Sequence, residues 1–208
     1  MPGIGIVVLA AGRSTRFAAG RMSKLLALVG DTPLVRLAVN AAVDSQVGDV
    51  VVITGDRSED VALSLAGLPV RVVREPRFGD GMATSLGRGV LELRTADAIL
   101  VTLGDVPGVL PETYRRIAAR WRTTGAPIVV PRYAESTAPA PPTLFGSALF
   151  DELLTLRGDV GARGVIARHA SMVVEESIAW PAPRDVDTLD DLNDYLTGNE
   201  RDETSLDR

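Results

Sequence analysis

Short β-branched runs alternate with helical stretches along most of the chain, and this alternation limits the folds open to it. Residues 4–9 (IGIVVL), 49–54 (DVVVIT), 70–73 (VRVV), 98–103 (AILVTL), 127–130 (PIVV) and, more weakly, 172–175 read as strands. Between them, residues 33–43, 58–65, 82–93, 111–122 and 148–154 carry helical spacing. The first run is apolar almost without interruption, as in a strand covered on both faces. Pro33 and Pro111 fall where the first turn of a helix tolerates proline. Such alternation predicts a mostly parallel sheet with helices on both sides, an α/β fold. Residues 131–142 (PRYAESTAPAPP) predict a loop, and residues 197–208 (TGNERDETSLDR) a disordered tail. With no internal repeat or linker, one domain over residues 1–196 is expected ahead of that tail.

Composition removes several kinds of chemistry. The chain has no cysteine and a single histidine, His169. Disulfides, thiolate catalysis and zinc–cysteine or multi-histidine metal sites are therefore excluded. A metal would have to be held by carboxylates, which favours magnesium or manganese. The net charge of -5 disfavours non-specific nucleic-acid binding, so an anion site must be a local concentration of positive charge. No basic segment followed by a long apolar run opens the sequence, and no stretch is apolar for long enough to span a bilayer. A cytoplasmic protein without a membrane partner is the expectation.

In open parallel sheets, ligands bind outside the carboxyl ends of the strands. Here those ends are followed by AAGRSTR, GD, REPRFGDGM and GDVP, which gather glycine, arginine and aspartate on one edge. The first loop is the richest. Gly12 permits backbone amides to face an anion, and Arg13, Arg16 and Lys24 add charge. These are parts of a polyphosphate cradle, yet neither the GxxxxGK[ST] nor the GxGxxG pattern is met after the first strand. Taken alone, the loop reads better as a Gly/Ala turn with solvated arginines.

The wider string LAAGRSTRF…K, residues 9–24, resembles the signature LAAGxSxRM(G)…K of nucleotidyltransferases with a MobA-like fold, and more closely that of molybdenum cofactor cytidylyltransferases. GDGMATSL (79–86) is similar to the family's EGMxSSL, LGDVP (103–107) to LGDMP, and DVDTLDDL (185–192) to DIDTPEDL. LFGSALFDELLTLRGDVGARGVI (144–166) is similar to LF…LF.ELL.L.GD.GAR.LL. The resemblance covers most of the chain and keeps the motif order. It implies a single-domain, Rossmann-like three-layer sandwich of the nucleotide-diphospho-sugar transferase kind.

The resemblance also implies roles. Lys24 and Arg16 would pair with the phosphates of a nucleoside triphosphate, and Leu9, Ala10, Ala11, Gly12, Arg13, Ser14 and Gly104 would line its site. Asp105 would hold the catalytic Mg2+, with Mn2+ an alternative. Asp187, or else Asp185, would be the second ligand, although Asp187 reads equally as a cap on the helix after it. Gly81, Met82, Thr84, Ser85 and Arg163 would border the acceptor. Asp159 and Arg163, in RGDVGAR, would help to hold that acceptor or would brace the loop. The implied reaction moves CMP from CTP to the phosphate of molybdenum-molybdopterin and releases pyrophosphate, for use by a xanthine-oxidase-family molybdoenzyme. An acceptor phosphate is already an anion, so no general base is required. Relatives that transfer GMP tend to carry LAGG where this chain has LAAG, and Ala11 would narrow the space beside the base. His169 reads as structural or exposed.

One stretch departs from the family. Residues 138–143 (APAPPT) place Pro141 where a histidine is expected, beside the acceptor. Two other readings are open as a result. The acceptor could be a different phosphorylated compound, such as a sugar phosphate, with GTP as an alternative donor. The protein could instead be a non-catalytic carrier of the finished cofactor.

Overall fold

The computed structural model describes residues 3–12, 17, 23–134, 140–159, 161–184 and 186–195. Strand β1 (Ile4–Ala10) is buried at every position because it lies inside a sheet covered on both sides. Ile4, Ile6 and Val8 point to one face, packing with Val35, Val39, Ile117 and Ala118. Val7 and Leu9 point to the other, with Leu86, Val90, Phe150 and Leu153. The period-two alternation of a strand thus splits one apolar run between two helical layers. Gly5 faces the second layer, where a Cβ would stand 2.6 Å from Leu93 Cδ1.

A small hairpin, β2 (Leu28–Val29) and β3 (Thr32–Pro33), comes after β1 in the chain and leads into α1 (Leu34–Asp44). The remaining strands are β4 (Val50–Thr54), β5 (Val70–Arg74), β6 (Ala98–Leu103), β7 (Ile128–Ala134), β8 (Thr143–Gly146) and β9 (Val173–Pro181). The main sheet has seven strands in the order β5-β4-β1-β6-β8-β7-β9. β8 runs antiparallel to both of its neighbours, and the other pairings are parallel. Helices α1 and α4 (Pro111–Thr124) lie on one face, and α3 (Met82–Glu92) and α5 (Phe150–Thr155) on the other. The short helices α2 (Ser58–Ser64) and α6 (Arg163–Arg168) complete the layers. This is a single three-layer α/β domain.

All six strands expected from the sequence are present. The β2–β3 hairpin and α6 were not among the expected strands and helices, and two further features differ from the expected pattern. Residues 131–134, expected in a loop, continue β7, where they pair with β9. Strand β8 was hidden by its shortness and by the prolines before it, and it exists through pairing with Val101, Leu100, Ile99 and Ala98 of β6. The tail from residue 197 lies outside the described residues. Among the described residues, no helix is long and apolar enough to cross a membrane.

Candidate active site

Register brings the strand ends together. Ala10 is level with Thr54, and Leu9 with Leu103, so the turns after β1, β4 and β6 emerge along one edge. Close packing holds them there. The Gly104 amide donates to the Leu9 carbonyl at 2.9 Å, and a Cβ on Gly104 would approach Ala10 Cβ to 3.1 Å. A side chain at Gly55 would meet Phe78 and lie 2.8 Å from the Ala11 carbonyl oxygen.

Lys24 lies at the start of a 3-10 turn, Lys24–Leu26, whose Leu25 is sunk into the core. Its Nζ lies 2.5 Å from Asp105 Oδ2 and 2.6 Å from Asp187 Oδ1. Three distant segments therefore converge on one ammonium group. Packing explains the convergence. Phe17 and Ala27 from the first connection and Leu34 of α1 form a buried cluster with Val186 and Leu192 from the last segment. The Val186 amide also donates to the Asp105 carbonyl at 3.0 Å. Residues on either side of Lys24 and Asp187 are thus clamped together by apolar burial, and the charges meet as a result.

Burial disfavours the Lys24 ammonium, but Asp105 and Asp187 outweigh it and raise its pKa above the usual lysine value. The cation is kept charged in a site that is mostly shielded from solvent. The helix after Asp187, α7 (189–195), takes its cap from Thr188 in a reciprocal arrangement. Thr188 Oγ1 accepts from the Asp191 amide at 3.1 Å, and Asp191 Oδ2 accepts from the Thr188 amide at 2.8 Å. Asp191 Oδ2 also accepts from the Asp187 amide at 3.0 Å, and the Asp187 carboxylate faces Lys24. The Thr188 hydroxyl and the two amides draw the Asp191 pKa down.

A cavity of about 390 Å3 opens beside this cluster, lined by Leu9, Ala11, Gly12, Phe78, Ser85 and Asp105 among others. A second, of about 290 Å3, shares Leu9, Met82, Leu103 and Asp159 with it, so the two form one cleft. Arg163 and Pro141 line the second part, whose walls are mostly apolar: Leu86, Val101, Phe145 and Ile166. Pro141 is held in place by Tyr133 of β7, whose phenol donates to the Pro141 carbonyl at 2.6 Å.

The loop opening α3 borders both parts. Gly81 has φ +111°, and a Cβ on it would overlap the Gly158 carbonyl. The Ala83 amide donates to that carbonyl at 3.0 Å, and the Met82 amide to Asp159 Oδ1 at 3.3 Å. The RGDVGAR segment therefore braces the start of α3 as well as lining the cleft.

The structure brings together Leu9, Ala11, Gly12, Lys24, Gly81, Met82, Ser85, Asp105, Asp159, Arg163 and Asp187 from the sequence-derived site. Ala10 is buried beneath it, and the Gly104 amide is taken up by Leu9. Thr84 is elsewhere: it lines a separate cavity on the outer side of α3. Arg13, Ser14, Arg16 and Asp185 lie outside the described residues. His169 pairs with Glu152 on the surface at 2.6 Å, joining α5 to the end of α6, away from the cleft. Sequence reasoning missed Phe78 as a wall of the first cavity and Tyr133 as the support of Pro141. Only the three-dimensional return of the chain reveals them.

The fold, the clustered strand ends and the motif order agree with a match of residues 6–173 to the MobA-like NTP transferase domain. The chain belongs to this family of nucleotidyltransferases. It is 32% identical over 149 residues to the bifunctional protein GlmU of Sphingopyxis alaskensis, a match that takes in 71% of the chain and 32% of that protein. To GlmU of Alkalilimnicola ehrlichii it is 38% identical over 117 residues, 56% of the chain and 25% of the relative. It thus spans about a third or less of the curated relatives it matches. Among solved structures, Rv0371c of Mycobacterium tuberculosis in complex with manganese is similar with a TM-score of 0.79 and 30% identity, over 94% of this chain and 98% of that one. A nucleotidyl transferase of Methanothermobacter thermautotroptrophicus is similar with a TM-score of 0.78 and 26% identity, over 96% and 98%. CMP:2-keto-3-deoxy-manno-octonic acid synthetase, solved with CTP, shares the fold at 13% identity, with a TM-score of 0.77 over 96% of this chain and 99% of that one.

Proposed function

We infer that this MobA-like transferase moves CMP from CTP to the phosphate of a molybdenum-molybdopterin acceptor. The observation that carries the reading is the apolar second half of the cleft, with Arg163 at its wall and the Lys24 cluster at the other end. A sugar phosphate would set most of its hydroxyls against Leu86, Val101, Phe145 and Ile166, with Thr143, Asp159 and Arg163 as the polar side chains of the lining, at a cost for each hydroxyl left unpaired. A flat heterocycle instead stacks its faces on such walls and presents its phosphate towards the cation. Ala11 lines the first cavity, and with the base seated there it would take up space beside it and favour cytosine over guanine.

The donor set fits a hard divalent cation. Asp105 and Asp187 offer carboxylate oxygens that already converge on one positive centre. Among the described residues no group of three or more His, Asp or Glu side chains could hold a metal, so phosphate oxygens and water would supply the remaining positions, as is usual for Mg2+. When bound, Mg2+ or Mn2+ supplies charge neutralisation to the triphosphate. Lys24 and the Gly12 turn orient the phosphates. The acceptor phosphate oxygen attacks the α-phosphorus in line, and the bond to the bridging oxygen of pyrophosphate breaks. Positioning and electrostatics then supply the rate enhancement. The dinucleotide product would serve a xanthine-oxidase-family molybdoenzyme.

The test is incubation of [α-32P]CTP with Mg2+ and molybdenum-loaded molybdopterin, with the product identified by mass. A labelled molybdopterin cytosine dinucleotide is expected. Label transferred only to sugar phosphates would overturn the acceptor. A carrier would bind the pterin with unchanged affinity after Asp105→Asn and form no product before it.

A further inference from the structure

The cavity on the outer side of α3, about 520 Å3, is larger than either part of the active-site cleft. Arg77, Arg88 and Arg157 line it, a local concentration of positive charge in a chain whose net charge is -5. Two carboxylates, Glu75 and Asp80, share the lining, so three guanidinium groups leave it with a net positive charge. Glu75, only 7% exposed, has Oε1 engaged by the Arg77 amide at 2.8 Å, and Asp80 is exposed. Arg88 pairs through Nη2 with Glu92 at 2.7 Å, while its Nε is buried with no hydrogen-bond partner among the described residues. A buried guanidinium N–H without an acceptor is costly, so Arg88 is held under polar strain beside the cavity. Arg157 is fixed over the end of α5, where Nη1 donates to the carbonyls of Leu154 and Leu156. Thr84 adds a hydroxyl, and Leu91, 54% exposed, stands with Leu154 and Leu156 as an apolar wall.

We propose that this cavity is a second ligand site, separate from the catalytic cleft, for a small phosphate monoester with an apolar body. Several guanidinium groups suit the three terminal oxygens of a phosphate better than the two of a carboxylate. Leu91, Leu154 and Leu156 take the apolar part. Gly158 lines this cavity and touches Gly81 of the catalytic loop, so an occupant bears on the backbone that braces the start of α3. The site does not depend on which acceptor the enzyme uses.

The test is calorimetric titration of the intact protein with phenyl phosphate and with inorganic phosphate. Phenyl phosphate is expected to bind at least about tenfold more tightly, through burial of its ring. Lys24→Met, which removes the phosphate partner of the catalytic cleft, should leave this binding unchanged. Arg88→Gln should weaken it about tenfold or more; Glu92 keeps its pairing with Arg71 in that variant. Gly87→Leu, projecting from a lining position that faces Leu154, should block it. Urea denaturation checks that each variant is folded. Binding lost in Lys24→Met but intact in Arg88→Gln would assign the phosphate to the catalytic cleft and overturn the proposal. Absence of binding, or equal affinity for the two compounds, would overturn it as well.

Discussion

Lys24 Nζ and Asp187 Oδ1 lie 2.6 Å apart, although 163 residues separate them in the chain. The contact joins the first connection of the fold to its last segment, and Asp105 closes the group from the end of β6. In a nucleotidyltransferase such a group suits the handling of a triphosphate's charge.

Neutralising any member of this group should therefore reduce turnover more than stability. For Asp105→Asn, Asp187→Asn and Lys24→Met we expect kcat to fall by about 10²–10³-fold, the usual size of a lost electrostatic contact in a preorganised site. Steady-state pyrophosphate release measures the fall. A loss below about threefold in Asp105→Asn would remove that residue from the machinery.

Asp191 supports the site from behind, since one of its oxygens takes the amides of both Asp187 and Thr188. Asp191→Ala should lower stability through the lost cap. It should also weaken Mn2+ binding, because Asp187 loses its anchor. Urea denaturation and manganese titration by electron paramagnetic resonance read the two effects separately.

Gly81→Ala places a side chain where the backbone is left-handed and where Gly158 already stands. Strain at such a position costs on the order of 1–3 kcal/mol, and here overlap with backbone adds to it. A lower Tm and a raised KM are expected, since Gly81 lines the first part of the cleft and its loop borders both parts. An unaltered Tm would mean that the 158–159 segment gives way freely.

The surface cluster of Glu152, Arg168 and His169 gives a pH-dependent outcome. Hydrogen bonds from His169 and Arg168 hold the Glu152 carboxyl below its ordinary value of 4.5. A carboxyl lowered by folding adds stability above the unfolded pKa, and loses it as pH falls through the folded one. Wild type should exceed Glu152→Gln in stability at neutral pH, and the gap should close as the pH falls below about 4.5. A gap that persists at pH 3 would contradict the assignment.

Much of this site was legible because a buried parallel strand leaves an unmistakable apolar run, and the turn after such a strand must lie on the binding edge. Asp105 could be read in this way, whereas Lys24, well past the end of β1, and Gly81, after the half-exposed edge strand β5, stood out through the motifs that resemble the family's. Thr84 could not, since Met82 and Ser85 turn towards the cleft and Thr84, one step around α3, turns away. Strand β8 has no pattern of its own, and its order comes from β6 and β7. The contact between Tyr133 and Pro141 depends on how the chain returns after β7, which no local propensity encodes.

The assignment of donor and acceptor stands or falls on pyrophosphate release from CTP, GTP, ATP and UTP, measured with Mg2+ and with or without molybdenum-loaded molybdopterin. Transfer of CMP to the pterin predicts release from CTP that requires the pterin, with the other nucleotides well behind. Folded protein that binds CTP yet releases pyrophosphate only with a different phosphorylated acceptor, or with none, would refute that transfer.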